Sequence, residues 1–218
     1  GLYNEAQAVL SSTQIAKKDS LQYIRMKILS ARLELEFGRT EKALAILNEI
    51  SEPLLPHGLR PSFHDIRAKV YLADKDYMRA ASERMRLSNY LSTPSEIQQN
   101  NRSLWQVMES VPATEVDNLR LAAPEALKSW FELASLYQTY RYQPARLSVA
   151  IDGWKQRYPG HSALLSITNK LIVQSRESIT RPTKIGLLLP LSGKYQKSST
   201  AIRDGFLAAW YMDREEKA

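Results

Sequence analysis

The sequence predicts an all-α fold, a solenoid of helical hairpins, followed by the truncated first β-α unit of an α/β domain. Three observations predict it. First, small and apolar residues recur at an offset of 37: Gly1, Ala6, Ala8 and Leu10 coincide with Gly38, Ala43, Ala45 and Leu47. The same offset carries Ala43 to Ala80, Ala31 to Ala68 and Leu35 to Leu72. Second, apolar residues at helical spacing fill paired segments bounded by caps, glycines and prolines. Third, a short apolar run over 184–193 leads through Pro190 and Gly193 into an amphipathic stretch over 198–212, which is how an open parallel sheet begins. One strand and one helix cannot cover both faces of such a sheet, so the chain is expected to be a fragment cut just after a second domain starts.

The elements follow in order. Residues 1–10 read as the middle of a repeat. In the next helix Leu21, Ile24, Ile28, Ala31 and Leu35 form one apolar stripe and Met26, Leu29 and Leu33 a second, as expected of a helix held between two neighbours. Gly38 ends it, Thr40 is placed to cap the following helix, and Pro53 and Pro56 stop that one. A second pair spans about 61–73 and 76–91, joined by Asp74-Lys75-Asp76. Thr93-Pro94-Ser95-Glu96 combines a capping box with proline at the first helical position. Its helix carries Trp105 and Met108 and stops before Pro112, and a short helix starts at Thr114. The pair 124–140 and 144–158 is expected to bury Leu127, Trp130 or Phe131, Ala134 and Tyr137 against Leu147, Ile151 and Trp154, closing at Pro159-Gly160. A last helix covers about 162–179. The domain plan is a helical domain over 1–179, a linker over 180–183 and the start of an α/β domain over 184–218.

Small residues at fixed places in paired helices permit close backbone approach. Ala31, Gly38, Ala43 and Leu47, at steps of 7, 5 and 4, resemble the tetratricopeptide repeat, and Ala68, Tyr71, Ala80 and Ala134, Tyr137, Pro159 echo it. The period is 37 against about 34 in that repeat, the 93–122 unit is compressed, and Gln22 stands where an aromatic residue is expected. The resemblance implies a concave surface lined by first helices, which binds rather than catalyses. Its candidate binding residues are the first-helix cations Arg25, Arg32, Lys69 and Lys128.

Composition narrows the function classes. No apolar run approaches the roughly 20 residues of a membrane-spanning helix. The absence of cysteine excludes disulfides, thiol nucleophiles and thiolate metal sites in this chain. The formal charge of +7, from 30 basic and 23 acidic residues, favours acidic partners, including carboxylate-bearing polymers. Its basic pairs, Lys17-Lys18, Arg25 and Lys27, Arg84 and Arg86, Lys194 and Lys197, form no nucleic-acid motif, and no nucleic-acid partner is expected.

No catalytic residue, cofactor or metal site is predicted. His57 and His161 follow Pro/Gly turns and read as exposed, while His64 lies early in a helix without a metal-binding companion. Leu191-Ser192-Gly193-Lys194 fails as a phosphate loop: Gly186 is seven residues before Gly193, and Tyr195 replaces the magnesium-binding hydroxyl. Glu109-Ser110 and Glu177-Ser178 resemble the Glu-Ser pair of α-superhelical lytic transglycosylases, but Val111-Pro112 and Ile179-Thr180 follow in place of Gly-Leu-Met-Gln-type residues. Trp105, Trp130 and Trp154 could stack on sugars; at helical spacing beside alanine they read as core.

Three phrases together resemble one family. They are Ile97-Gln98-Gln99-Asn100 with Leu104-Trp105-Gln106, then 151–159 (IDGWKQRYP), then 184–193 (KIGLLLPLSG). In this order they resemble the outer-membrane lipoproteins that activate class A penicillin-binding proteins; the last phrase also resembles the first strand of type I periplasmic binding proteins. The resemblance implies a helical N-terminal domain, a C-terminal domain like a periplasmic binding protein, and a lipid anchor on a cysteine upstream of Gly1. It implies non-enzymatic activation of a peptidoglycan synthase, mainly through the C-terminal domain, with this chain as the arm crossing the periplasm and peptidoglycan as a further candidate partner. Two other readings stay open: a ligand-binding periplasmic receptor module, and a lytic transglycosylase-like muramidase.

Overall fold

The computed structural model describes residues 2–12, 20–163, 166–178 and 186–215. The chain divides into two units, Gly1–Ile179 and Thr180–Ala218.

The first unit is built from helices whose ends are written in the sequence. After α1 (Leu2–Ser12), the Ser20 hydroxyl accepts the Tyr23 backbone N–H at 3.2 Å and opens α2 (Leu21–Glu36). Gly38, at φ 71°, turns the chain into α3 (Thr40–Asn48). Pro61 sits in the first turn of α4 (Arg60–Ala73), and the Asp76 carboxylate caps α5 (Tyr77–Ser88) through the Arg79 N–H at 3.0 Å. The predicted capping box is present at α6 (Pro94–Ser110): Thr93 Oγ1 accepts the Glu96 N–H, and Glu96 accepts the Thr93 N–H. The short α7 (Val116–Ala122) precedes α8 (Glu125–Tyr140), α9 (Pro144–Arg157) and α10 (Thr168–Glu177).

Consecutive helices pack as hairpins: α2 on α3, α4 on α5, α8 on α9, with α6 lying against both α5 and α8. One core cluster joins α2, α3 and α4 around Ile28, Ala43, Leu47, Phe63 and Ile66. A larger one runs from α4 to α10 around Trp105, Phe131, Leu147, Trp154 and Leu171. The repeat alanines do what their size allows. Ala31, Ala43 and Ala80 are 0% exposed and Ala68 is 1% exposed, at helix contacts where a longer side chain would separate the backbones. Trp130 and Phe131 are both buried, so neither excludes the other.

Several expectations need correcting. Thr40 does not cap α3; it is the first helical residue, after Arg39. Of the second stripe on α2 only Leu33 is buried, while Leu29 is 49% exposed, because α2 is covered more fully on its Ile24–Ile28–Ala31 side. Ala6, the repeat equivalent of Ala43, is exposed. The α5 helix ends at Ser88, and the short helix after Pro112 begins at Val116. The last helix of the unit begins at Thr168; residues 162–163 and 166–167 form turns, and 164, 165 and 179 lie outside the described residues.

The second unit consists of an irregular segment over 186–191, a short 3-10 turn at Gly193–Tyr195 and α11 (Gln196–Glu215). The expected strand is not formed among the described residues, and Lys184, Ile185 and the linker over 180–183 lie outside them. A strand exists through pairing, and the described residues offer no partner strand: Leu188 is 99% exposed and Trp210 42%. Among the described residues no helix is long and apolar enough to cross a membrane.

Candidate functional site: a polar groove across α2, α4 and α6

A groove of about 700 Å³ is lined by residues of α2, α4, α5 and α6. Its base is ordered by a partly buried charge pair. Arg84, 5% exposed on α5, donates from Nη1 to Asp65 Oδ1 on α4 at 2.7 Å, and Lys69, one turn further along α4, donates to Asp65 Oδ2 at 2.7 Å. Burial pushes the Asp65 carboxyl up, but the hydrogen bonds and positive charge of Lys69 and Arg84 outweigh it and hold the group below its ordinary range. From α6, Asn100 Nδ2 donates to the Arg84 carbonyl at 2.9 Å, which fixes the amide and tethers the two helices.

Two polar atoms in this wall lack a protein partner. Arg84 Nε and Asn100 Oδ1 are buried, and both residues line the groove. Arg32 on α2 adds an exposed guanidinium with no ion pair among the described residues, and Glu96, Gln99 and Gln106 on α6 complete a polar rim. Such a wall offers donors, acceptors and net positive charge to an extended polar chain that carries carboxylates.

The four predicted cations separate here. Arg32 and Lys69 meet in the groove. Arg25 is exposed two turns before Arg32 on α2, and Lys128 is exposed on α8 and paired with Glu125 at 2.6 Å; neither lines it. Asp65, Arg84 and Asn100 were missed, because their partners are 19 and 16 residues away and helical periodicity reports only neighbours three or four apart.

The histidines also differ from expectation. His57 is exposed, as its turn suggests. His64 is 1% exposed, with Nδ1 2.7 Å from Glu83 Oε2 and its ring stacked on Tyr90. His161 is not an exposed turn residue: its ring lies 4.9 Å from Trp130 and 4.7 Å from Trp154, and burial lowers its pKa to about 4. Glu109 and Glu177 are both exposed. The tryptophans are core: Trp105, Trp130 and Trp154 are 3%, 1% and 0% exposed.

Fold and groove together define a helical-repeat scaffold with a preordered polar groove. The chain belongs to the LppC lipoprotein family, matching the family described as "LppC putative lipoprotein" over residues 3–218. It is similar to a protein of Glaesserella parasuis named penicillin-binding protein activator LpoA, 29% identical over 203 residues, covering 93% of this chain and 35% of that protein. Full-length LpoA from Haemophilus influenzae matches with a TM-score of 0.68 at 26% identity, covering 95% of this chain and 38% of that one. The LpoA N-terminal domain from the same organism matches at 0.68 and 22% identity, over 78% of this chain and 77% of the domain, a likeness of fold. This chain spans about a third of the length of the curated relatives it matches.

Proposed function

We propose that the chain is the helical arm of a non-enzymatic activator of a peptidoglycan synthase, a class A penicillin-binding protein. On this reading the arm stands at the periplasmic side of the outer membrane, reached through a lipid anchor upstream of Gly1. The groove of Arg32 and Lys69 holds the carboxylate-bearing peptidoglycan, and synthase contact falls mainly to a following domain that residues 184–218 begin. The convergence of Arg32, Lys69, Arg84 and Asn100 on one groove carries the reading, since charge and unpartnered polar atoms meet there. The activator names of the relatives support the partner.

Purified synthase tests it. The 218-residue chain is expected to cosediment with peptidoglycan while leaving glycan polymerisation and transpeptidation at their unstimulated rates. Full stimulation by residues 1–178 alone overturns the division of labour, and release of soluble muropeptides from sacculi replaces it with the muramidase reading.

A further inference from the structure

The exposed side chains of the groove across α2, α4 and α6 narrow the chemistry of its occupant. Among the described residues that line it, none is aromatic. Aromatic side chains supply the flat apolar area on which a sugar ring packs, so the groove offers a glycan strand no platform. It offers a row of amides and hydroxyls instead. Ser95, Gln99, Ser103 and Gln106 stand three or four residues apart on one face of α6, and all but the half-buried Ser103 are exposed. Ser95 to Gln106 covers about 16 Å of helix, a length that an extended peptide of about five residues also covers. Side-chain amides both donate and accept, as the groups of a peptide backbone do.

Charge is divided between the walls. On α2 and α4, Arg32 and Lys69 are exposed, and the Asp65 carboxylate beside them already accepts from both Lys69 and Arg84, so this side is net positive. On α6 the exposed Glu96 lines the same groove one turn, about 6 Å, before Asn100, and no cation pairs with it among the described residues. The Thr93 hydroxyl and backbone N–H donate to it at 2.7 and 3.1 Å and hold its carboxyl below the ordinary range, so it is ionised at neutral pH and fixed in direction. Two cations on one side and an ionised carboxylate on another suit a short peptide that carries both carboxylates and an ammonium group. We infer, on the reading that this groove holds peptidoglycan, that it takes the peptide stem and leaves the glycan outside, with stem carboxylates on Arg32 and Lys69 and the free ammonium group of the stem's diamino acid on Glu96. Glu96 then sets specificity, which the cations alone do not.

Glu96→Gln tests this without loss of the helix start, since glutamine also completes a capping box. In calorimetric titrations of the 218-residue chain, the disaccharide tetrapeptide of peptidoglycan is expected to bind at least about tenfold more tightly than the same disaccharide without its peptide. Glu96→Gln, or acetylation of the free amine of the disaccharide tetrapeptide, is expected to weaken binding about threefold, and the two changes together no further than either alone. Equal binding of the peptide-free disaccharide, or an unchanged affinity of Glu96→Gln for the disaccharide tetrapeptide, overturns the inference even where intact peptidoglycan still pellets with the chain. Failure of intact peptidoglycan to pellet with the chain overturns the peptidoglycan reading of the groove, and the inference with it.

Discussion

Lys75 occupies, between α4 and α5, the left-handed backbone position that Gly38 occupies between α2 and α3. Their φ angles are 60° and 71°, and they stand 37 residues apart. Both turns close alike: Arg39 N–H bonds Glu34 O at 2.9 Å, and Asp76 N–H bonds Tyr71 O at 2.8 Å. These are the long-range hydrogen bonds of a helix-terminating glycine motif. The 37-residue offset is thus a register of backbone turns as well as of alanines.

A side chain in this region is strained by about 1 kcal/mol. Lys75→Gly is therefore expected to raise stability by about 0.5–1 kcal/mol. Gly38→Ala is expected to lower it by about 1 kcal/mol through backbone conformation alone, since a Cβ there meets nothing within 4 Å. Urea midpoints measure both, and a destabilised Lys75→Gly contradicts the shared geometry.

Ala80 and Ala6 are equivalent in the repeat but not in burial, being 0% exposed and exposed respectively. Ala80→Leu should cost about 1–3 kcal/mol by overpacking α5 against its neighbours. Ala6→Leu should stay within about 0.5 kcal/mol. Thermal unfolding of the two variants distinguishes them, and equal shifts would remove the packing argument.

His161 makes the unit sensitive to mild acid. The Ala163 N–H donates to its Nδ1 at 3.1 Å, so the proton sits on Nε2, which faces Ser129 Oγ at 2.9 Å. Burial holds its pKa near 4, below the value of 6.5 in an unfolded chain. The unfolded chain takes up the proton first. This contribution is complete above pH 6.5, falls as pH drops, and levels off below about 4, with a slope of at most about 1.4 kcal/mol per pH unit. The Asp65 carboxyl, also held below its ordinary pKa, contributes above that ordinary value and loses its contribution only in stronger acid. Urea midpoints for His161→Gln should therefore change less between pH 7.5 and 4.5 than those of the unsubstituted chain, by about one pH unit's worth of this slope or more. Parallel pH curves would show that His161 does not titrate in this window.

His64 and Glu83, 1% and 4% exposed, form a buried pair that Arg67 joins at 3.6 Å from Glu83. Glu83→Ala leaves His64 Nδ1 without its partner and removes one of the two carboxylates near Arg67, which keeps Glu52 at 3.3 Å, and is expected to cost about 1–3 kcal/mol. A double-mutant cycle with His64→Ala should return a coupling above about 1 kcal/mol, whereas additive effects would mean that the two side chains act independently.

The legible features were local ones. Gly38, the Thr93–Glu96 box, the alanines at 31, 43, 68 and 80 and the core tryptophans express steric or capping rules acting within a few residues, and the structure places each as read. Lys75 was hidden because lysine is not the residue that its backbone angle favours. His161 was misread because Pro159-Gly160 announces a turn without saying that the turn folds back onto Trp154. The groove was half legible: first-helix cations marked Arg32 and Lys69, but Arg25 and Lys128 satisfy the same rule. Asp65, Arg84 and Asn100 come together only when α4, α5 and α6 pack.

Sedimentation with purified peptidoglycan tests the groove most directly. Arg32→Glu with Lys69→Glu is expected to reduce pelleting at least about tenfold, while Arg25→Glu with Lys128→Glu, an equal change of charge outside the groove, leaves it within about twofold. Equal pelleting of the two double variants, or no pelleting of the unsubstituted chain, would contradict the assignment of the groove.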